Sequence, residues 1–457
     1  MENYDLLILG GGPGGYTAAI KAGQLGMKTA LIEKETVGGA CLNWGCIPTK
    51  TWLKSAKLYA QMLHASDYGI TLDKEAVSID FKHFLKRKNK VVKKLTGGVK
   101  FLLKKNGIKV YDGFGEITSS SQAIVNGESI GFKHLIVATG ATPFFPPIKG
   151  LDNAVKSGKA VSAKELLDID YIPDKLAVVG GGVIGVEFAT IFNALGSDVS
   201  IYERESDILL TVDEEIRAAF KKKLSSDGIK VHTNANVSEF TDSSIKVEMN
   251  GNTETFEMNL ALVSVGMKPN LGGLEALNLN LERGAVVTDD LMRTNVPNVY
   301  AIGDVNGKMP LAHVASSEGL IVIDHLNGHD RPMNYDLVPS GIYTFPEIAQ
   351  VGATEQALKE QGIAYKVSTF PLSANGKALA EGETVGMAKM LASEKYGEIL
   401  GVHILAQNAT EMISEGVLMQ TLEACAEDVA HAIHPHPTLS EMMHEVAHGI
   451  MDKPLSI

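Results

Sequence analysis

One short pattern occurs twice in this chain, and it constrains the fold more than any other feature of the sequence. YDLLILG (4–10) is an apolar run ending in glycine; GGPGGYTAAIKAGQLG (11–26) predicts a glycine turn and a helix, and KTALIEK (28–34) ends in acid. The same order recurs at a constant offset of 170 positions, in KLAVVGG (175–181), GVIGVEFATIFNALG (182–196) and DVSIYER (198–204). Two strand–turn–helix–strand units of this kind predict parallel sheets in an α/β fold.

Each copy is typical of a site for the pyrophosphate of a dinucleotide. The first glycine permits the tight turn, the second lets the backbone approach the phosphates, and the third lets the helix pack on the strand. The helix N-terminus adds free N–H groups and a partial positive charge. These glycines are Gly10, Gly12 and Gly15 in the first copy, and Gly180, Gly182 and Gly185 in the second.

An acidic residue closes each copy, Glu33 in the first and Glu203 in the second. A carboxylate there accepts hydrogen bonds from a ribose diol and repels a 2′-phosphate, so Glu203 favours NAD over NADP, although Arg204 lies beside it. Two dinucleotides in one chain indicate electron transfer between them, and nicotinamide and flavin are the natural pair.

Composition excludes several classes of protein. The chain has 457 residues, enough for two to four domains, and a net charge of −12. Its densest basic stretch, 82–94, is interleaved with apolar residues and predicts an amphipathic helix, so we expect no nucleic acid partner. The N-terminus lacks the pattern of a signal peptide, and no apolar run is long enough to span a membrane. We therefore expect a cytoplasmic protein without a membrane partner.

Two of the three cysteines lie close together in GGACLNWGCIPTK (38–50). Cys41 and Cys46 are more typical of catalysis than of structure, because the cytoplasm keeps most thiols reduced. Pro48 predicts the first residue of a helix that follows, which places Cys46 near a helix N-terminus, where the dipole favours a reactive thiolate. Cys425 is distant, and we expect a buried structural thiol within a helix-like stretch.

Further motifs follow in order: LIVATGATP (135–143), GGGVIGVEF (180–188), SVGMKPN (264–270), VYAIGDV (299–305), YTFPEIAQVG (343–352) and HPHPTLSE (434–441). Together with the cysteine segment they cover the whole chain, which resembles the class I flavin-dependent pyridine nucleotide–disulfide oxidoreductases. The resemblance implies two Rossmann-like dinucleotide-binding domains, for FAD and NAD, and a C-terminal α+β dimerisation domain. The expected boundaries are 1–147 (flavin domain), 148–267 (nicotinamide domain), 268–337 (return to the flavin domain) and 338–457 (interface domain).

The resemblance also implies catalytic roles. Cys41 is the thiol that exchanges with substrate, Cys46 lies against the flavin, and the two form a redox disulfide. Lys50 lies near the reactive flavin nitrogen and pairs with Glu187. His436, held by Glu441, is the acid–base; in the family this pair reaches into the active site of the other subunit, so a homodimer is expected. His434 is less suitable, because only His436 precedes Pro-Thr.

Cofactor contacts follow from the same resemblance. For FAD the expected residues are Gly10, Gly12, Gly15, Glu33, Lys50, Gly115, Thr139, Gly140, Asp304 and Ala312. For NAD they are Gly180, Gly182, Ile184, Gly185, Glu187, Glu203 and Gly266, with Val237 a weaker candidate. Many members of the family carry arginines where this chain has Met267 and Lys268, so the nicotinamide contacts there are expected to differ.

The expected activity is oxidation of dihydrolipoamide with reduction of NAD. The expected partners are lipoyl domains of a 2-oxoacid dehydrogenase acyltransferase or the H protein of glycine cleavage. One alternative is another disulfide reductase, acting on glutathione, a related thiol or mercuric ion. A second is a structural role, in which the interface domain anchors the chain to an acyltransferase core.

HEVAH (444–448) matches the HExxH pattern of zinc proteases. Only nine residues follow His448, which leaves little room for the usual third ligand downstream, and 13 histidines make accidental matches easier. We therefore expect no metal site.

Overall fold

The computed structural model describes all 457 residues, and both parallel modules predicted from the repeat are present. The helices are α1 Pro13–Gln24, α2 Gly39–Asn43, α3 Cys46–Leu63, α4 Phe81–Lys105, α5 Leu151–Lys156, α6 Ala163–Leu166, α7 Val183–Ala194, α8 Glu214–Ser226, α9 Ala312–Leu326, α10 Glu355–Gln361, α11 Gly376–Glu381, α12 Ala409–Thr421, α13 Ala426–His431 and α14 Glu441–Met451. The strands are β1 Glu2–Leu9, β2 Thr29–Glu33, β3 Lys109–Asp112, β4 Gly115–Ser119, β5 Gln122–Val125, β6 Glu128–Val137, β7 Ala141–Pro143, β8 Ala160–Val161, β9 Lys175–Val179, β10 Asp198–Tyr202, β11 Lys230–His232, β12 Asn236–Phe240, β13 Ser244–Met249, β14 Asn252–Glu257, β15 Leu260–Val263, β16 Met267–Pro269, β17 Leu281–Glu282, β18 Ala285–Val286, β19 Val299–Ala301, β20 Ser340–Ile342, β21 Glu347–Gly352, β22 Tyr365–Pro371, β23 Met387–Ser393 and β24 Ile399–Ala406.

The first sheet has seven strands in the order β3-β2-β1-β6-β5-β4, with β19 added beside the end of β6. β1 pairs in parallel with β2 and β6, placing Ile8 opposite Leu31 and Ile136. The C-terminal halves of β1 and β6 are apolar on both faces because helices cover the parallel part of the sheet, and Leu6, Leu7 and Ile8 are fully buried. Because β19 begins at Val299, the chain returns to this sheet after the second module.

The second sheet has five parallel strands in the order β11-β10-β9-β15-β8. It repeats the first module: β9 precedes a glycine turn and α7, as β1 precedes α1, and β10 ends before Glu203, as β2 ends at Glu33. A third sheet, β20-β21-β24-β23-β22, is antiparallel and packs against α12 and α14. The predicted α/β class, with two dinucleotide-binding modules and a C-terminal α+β domain, is confirmed.

A buried aromatic cluster anchors the helix that carries the cysteines. Trp52 on α3 lies 5.3 Å from Phe84 on α4 and 6.1 Å from Phe192 on α7, measured between ring centroids. All three side chains are buried, and tilted or edge-to-face pairs of this kind add to the free energy of apolar burial. Because α7 belongs to the second module, the cluster fixes the cysteine helix relative to both dinucleotide turns.

The basic stretch 82–94 lies within α4, a helix as predicted. The predicted start of α3 at Pro48 was wrong by two residues, since the helix begins at Cys46.

None of the helices combines the length and the apolar character that a bilayer crossing requires. The four domain boundaries given above remain predictions.

Candidate active site

A cavity of about 1840 Å³ runs between the two modules and the C-terminal domain. The first glycine turn, Gly182 of the second turn, both cysteines, Lys50 and Glu187 line it. The carboxyl ends of parallel strands are where α/β proteins bind ligands, and the cavity follows those ends in both sheets. It is therefore the candidate active site.

The two predicted acids make the same hydrogen bonds in both modules. Glu33 Oε2 accepts from the Gly11 N–H at 2.8 Å, and Glu203 Oε2 accepts from the Gly181 N–H at 2.7 Å. The other oxygen of each acid accepts from a backbone N–H two residues on, at 2.8 Å in both modules. Each carboxylate is thus fixed between the glycine turn and its own strand end, with lone pairs left for a diol.

The third glycine of each motif is required by close packing. A Cβ on Gly15 would lie 1.9 Å from the Gly10 oxygen, and one on Gly185 would lie 2.1 Å from the Gly180 oxygen. Any side chain at Gly15 or Gly185 would therefore push its helix off the turn. This close contact aims the N-termini of α1 and α7 at the positions where the phosphates of a dinucleotide would lie.

The two thiols are in contact across a break between two helices. Cys41 lies in the short helix α2, Gly45 ends the break, and Cys46 is the first residue of α3. The Cys41 thiol donates a hydrogen bond to Cys46, which lowers the pKa of Cys46 to about 7 and raises that of Cys41. The positive charge of Lys50, one turn along α3, acts on Cys46 in the same direction. Both effects favour the thiolate form of Cys46 over that of Cys41.

Lys50 forms an ion pair between the two modules. Its Nζ donates to both oxygens of Glu187 at 2.8 Å, and lies 4.4 Å from the centroid of the Tyr343 ring. Glu187 is only 3% exposed and also accepts from the Tyr343 N–H at 3.0 Å. Burial opposes the Lys50 charge, but Glu187 outweighs it and the pKa of Lys50 is raised. The structure thus brings together the pair that the sequence suggested, and adds Tyr343, which the sequence did not identify.

His436 and Glu441 are paired but lie away from the cavity. His436 Nδ1 is 2.8 Å from Glu441 Oε1, and the His436 side chain is 78% exposed. Burial opposes ionisation of Glu441, but hydrogen bonds from the Thr438 N–H and His436 lower its pKa. Neither residue lines the cavity of its own chain. The pair therefore holds an oriented imidazole at the surface of this chain.

His434 differs from His436 in its surroundings. Its side chain is 9% exposed and its Nε2 lies 2.8 Å from Glu415 Oε1, so it is held inside the C-terminal domain.

The other predicted cofactor residues divide into two groups. Those that line the cavity are Gly10, Gly12, Gly15, Glu33, Gly115, Thr139, Gly140, Asp304, Ala312, Gly182, Ile184 and Gly266. Those that do not are Gly180, Gly185, Glu203 and Val237. Gly180, Gly185 and Glu203 belong to the second turn and its carboxylate contact, while the Val237 side chain is 5% exposed in the core of that module.

Two family models match this chain. One, described as "Pyridine nucleotide-disulphide oxidoreductase", matches residues 4–319, and the other, the dimerisation domain of the same family, matches residues 338–447. The chain belongs to the pyridine nucleotide-disulphide oxidoreductase family. Members of this flavin-dependent family form homodimers through that second domain, as predicted.

Relatives in this family extend over nearly the whole chain. A dihydrolipoyl dehydrogenase of Bacillus subtilis is 41% identical and covers 97% of each chain; one of Chlamydia muridarum is 40% identical, covering 99% of this chain and 98% of its own. One of Acholeplasma laidlawii is 50% identical over 73% of this chain and 99% of its own.

Solved structures give the same picture of the fold. LpdA from Mycobacterium tuberculosis has a TM-score of 0.88 and 27% identity, covering 98% of this chain and 99% of its own. The HOCl-induced flavoprotein disulfide reductase RclA from Escherichia coli, in its Cu(II) complex, has a TM-score of 0.87 and 28% identity, with the same coverage.

Sequence reasoning missed a buried acid beneath the predicted flavin contact Asp304. Glu318 on α9 is fully buried and accepts hydrogen bonds from the Gly303 N–H, Asn306 Nδ2 and the Tyr335 hydroxyl. Burial raises the pKa of Glu318 despite these donors, and burial also raises that of Asp304. Glu318 therefore shapes the turn that presents Asp304 to the cavity. No motif in the sequence marked it.

The HEVAH segment forms part of α14, and its glutamate has a structural partner. Glu445 accepts hydrogen bonds from the Leu455 N–H at 2.7 Å and from the Ser456 hydroxyl at 2.6 Å, so it holds the C-terminal tail. His444 and His448 lie Nε2 to Nε2 at 3.2 Å, one nitrogen donating to the other. No group of three or more His, Cys, Asp or Glu side chains is arranged to hold a metal ion.

The expectation for Cys425 was wrong. The residue is partly exposed rather than buried, and it lies between α12 and α13 instead of within a helix. Its N–H donates to Asp428 Oδ2 at 2.8 Å, as expected of the residue that caps α13. The apolar spacing continues across the break, which is why the sequence predicts one helix.

Proposed function

We propose that this chain is a dihydrolipoyl dehydrogenase, which oxidises dihydrolipoamide to lipoamide and reduces NAD+ to NADH. The observation that carries the proposal is the thiol pair in the cavity between the two modules, where the pKa of Cys46 is lowered. Relatives named dihydrolipoyl dehydrogenase, about 40% identical over nearly the whole chain, support the choice of substrate.

The chain's residues fit two dinucleotides. FAD would be held by the first glycine turn, with Glu33 on its ribose and with Asp304 and Ala312 as further contacts. NAD would be held by the second turn, with Glu203 on its ribose. The absence of side chains at both turns and the free N–H groups of α1 and α7 suit phosphates on both. FAD, when bound, supplies a two-electron acceptor between the thiols and the nicotinamide.

The thiol chemistry is an exchange reaction in two steps. A substrate thiolate attacks the Cys41 sulfur of a Cys41–Cys46 disulfide, and Cys46 leaves as the thiolate that its low pKa favours. The second substrate thiol then attacks the mixed disulfide, which releases lipoamide and leaves Cys41 as a thiol. The substrate is thereby oxidised by two electrons, and the Cys41–Cys46 pair is reduced by two.

Each substrate thiol must lose a proton before it attacks. His436 of the partner subunit is the proposed acceptor, because histidine is the most common general base in enzymes and Glu441 orients this imidazole through Nδ1. The other ring nitrogen, Nε2, is then free to take the proton. Lys50, held by Glu187, stabilises the negative charge that collects on Cys46.

The macromolecular substrate in this proposal is a lipoyl domain, of a 2-oxoacid dehydrogenase acyltransferase or of the glycine cleavage H protein. We also propose the domain division 1–147, 148–267, 268–337 and 338–457. It places β7 and β16, which pair with each other, at the two crossings between flavin and nicotinamide domains.

The experiment adds dihydrolipoamide to the purified flavin-containing protein and follows NADH at 340 nm. We expect NADH formation with NAD+, none with the Cys46→Ser variant, and no requirement for other proteins. A protein that instead reduced glutathione disulfide with NADPH, and left dihydrolipoamide unoxidised, would place it among the other disulfide reductases. A protein inactive with both dihydrolipoamide and glutathione disulfide would favour the structural alternative, in which the chain serves as an anchor.

A further inference from the structure

A lysine that the proposed chemistry does not use is buried at the junction of the second module and the C-terminal domain. Lys389 on β23 is 1% exposed. Its Nζ lies 3.0 Å from Asp213, 2.6 Å from Glu355 and 3.1 Å from Glu215. Burial opposes its charge, but the hydrogen bonds to Glu355 and Asp213 outweigh that effect and raise the pKa of Lys389. The charged form of the ammonium group is therefore favoured, and three carboxylates surround it.

Asp213 is the residue through which this cluster holds the second module. It is fully buried and caps α8, accepting from the Glu215 N–H at 3.1 Å. Its two oxygens are also bound by the C-terminal domain, Oδ1 by Lys389 and Oδ2 by the Glu355 N–H at 3.0 Å. An isolated aspartate at this depth would be costly, so Asp213 depends on Lys389 for its charge balance.

The residues just before Asp213 are held by the same domain. Gln350 Nε2 donates to the Thr211 carbonyl at 2.7 Å, and Gln356 Nε2 donates to the Val212 carbonyl at 3.2 Å. Residues 207–213, which we call the tether, are thus attached at their C-terminal end to the domain beyond residue 338. Thr211 and Val212 also line the active-site cavity.

The other end of the tether packs on the second glycine turn. The Leu209 N–H donates to the Gly181 carbonyl at 3.1 Å. A Cβ on Gly181 would lie 2.4 Å from the Ile208 side chain, so the tether covers this turn directly. The Gly181 N–H in turn donates to Glu203, the proposed ribose acid. A continuous path of contacts therefore joins Lys389 to the dinucleotide turn.

From this path we propose that Lys389 is a positioning residue for the nicotinamide dinucleotide: by holding Asp213, it fixes the tether and, through it, the glycine turn 180–182. The inference rests on the proposed function for the identity of the dinucleotide. Glu355 keeps Lys359 as a cationic partner, whereas removing the ammonium of Lys389 leaves the buried Asp213 carboxylate without its own ion pair, so the cost falls on the end of the tether. The turn then loses the cover that Ile208 and Leu209 provide.

The test compares Lys389→Met with Lys88→Met. Lys88 is a matched control: it is 2% exposed, also joins two domains, and donates to the Leu167 carbonyl and Asp168 at 2.7 Å, but has no contact with the tether. We expect Lys389→Met to raise KM for NAD+ about tenfold, a typical size for coupling between distant sites. Its kcat and the rate of flavin reduction by dihydrolipoamide should stay near those of the parent, and Lys88→Met should keep the parent KM.

Hydrogen–deuterium exchange without dinucleotide tests the same inference independently of activity. Amides of the tether and of residues 180–185 should exchange faster in Lys389→Met, and not in Lys88→Met. An unchanged KM and unchanged exchange in Lys389→Met would overturn the inference, as would equal effects in both variants. A parent protein without NAD-dependent activity would refute the proposed function, while the exchange result would still decide the role of Lys389.

Asp213→Asn serves if Lys389→Met does not fold. Asparagine keeps one acceptor oxygen, which can still cap α8, but it replaces the oxygen that accepts from the Glu355 N–H by an amide donor and removes the charge that Lys389 neutralises. We expect a smaller rise of KM for NAD+ with faster exchange in the tether. Parent values of both quantities in this variant would contradict the inference.

Discussion

The hydrogen bond from Cys41 to Cys46 makes the position of the thiolate testable. Replacing Cys41 by alanine removes the donor, whereas replacing it by serine keeps an O–H donor at the same place. The change in the pKa of Cys46 from its ordinary 9.0 to about 7 corresponds to about 3 kcal/mol of thiolate stabilisation, at about 1.4 kcal/mol per pKa unit. The Cys41 hydrogen bond is the largest contribution, with Lys50 adding to it.

This shift sets the expected thiolate fraction at pH 7.5. With a pKa of about 7, roughly three quarters of Cys46 is ionised; with a pKa near 9, roughly 3% is. The assay is a pH titration of the long-wavelength charge-transfer absorbance of each flavin-containing variant, which reports the Cys46 thiolate. We expect the Cys41→Ser variant to titrate near the parent value and Cys41→Ala to titrate at least one unit higher.

Equal titration midpoints in Cys41→Ala and Cys41→Ser would refute the reasoning, because the hydrogen bond would then contribute nothing to the thiolate. Cys46→Ser is the control for the assignment of the band: its absorbance should be absent at every pH.

Further outcomes are expected for three variants and for the parent. His436→Gln should slow flavin reduction by dihydrolipoamide about 10²- to 10⁴-fold, the usual contribution of a general base, and leave reduction by NADH nearly unchanged; equal slowing of both, followed by stopped-flow absorbance, would exclude the assigned role. The parent should strongly prefer NADH to NADPH, and Glu203→Gln should reduce that preference, measured as the ratio of kcat/KM values; a parent without preference contradicts the role of Glu203. Glu445→Gln should lower the free energy of unfolding by about 1–3 kcal/mol, measured by thermal denaturation, because the Glu445 carboxylate holds the C-terminal tail. Elemental analysis of the parent should find no stoichiometric zinc.

The repeat was sufficient to predict the two modules, because its spacing reflects local geometry that any strand–turn–helix unit must obey. The structure shows the repeat down to single hydrogen bonds, from Gly11 to Glu33 and from Gly181 to Glu203. The pairing of Lys50 with Glu187 needed the family resemblance, since 137 positions separate the two residues. Periodicity carries no information about contacts at that distance.

Other features depend on tertiary packing and had no signal in the sequence. Lys389 lies in MAKMLAS, where alternation would place a lysine toward solvent, yet both faces of β23 are covered and the residue is buried. The backbone contact of Tyr343 with Glu187 spans 156 positions. The error at Pro48 has a local cause: the break at Gly45 lets the helix begin two residues earlier than proline alone would indicate.

The exposed position of His436 has a consequence for which reactions a single chain can carry out and which require the dimer. A single chain holds both dinucleotide turns and both thiols, and should therefore pass electrons from NADH to a small dye. In the proposed mechanism thiol turnover requires a second chain, because the imidazole of His436 faces away from the cavity of its own chain. Dilution to the point where the dimer dissociates should therefore abolish oxidation of dihydrolipoamide while dye reduction persists. The ratio of the two rates then measures the fraction of chains that are dimeric.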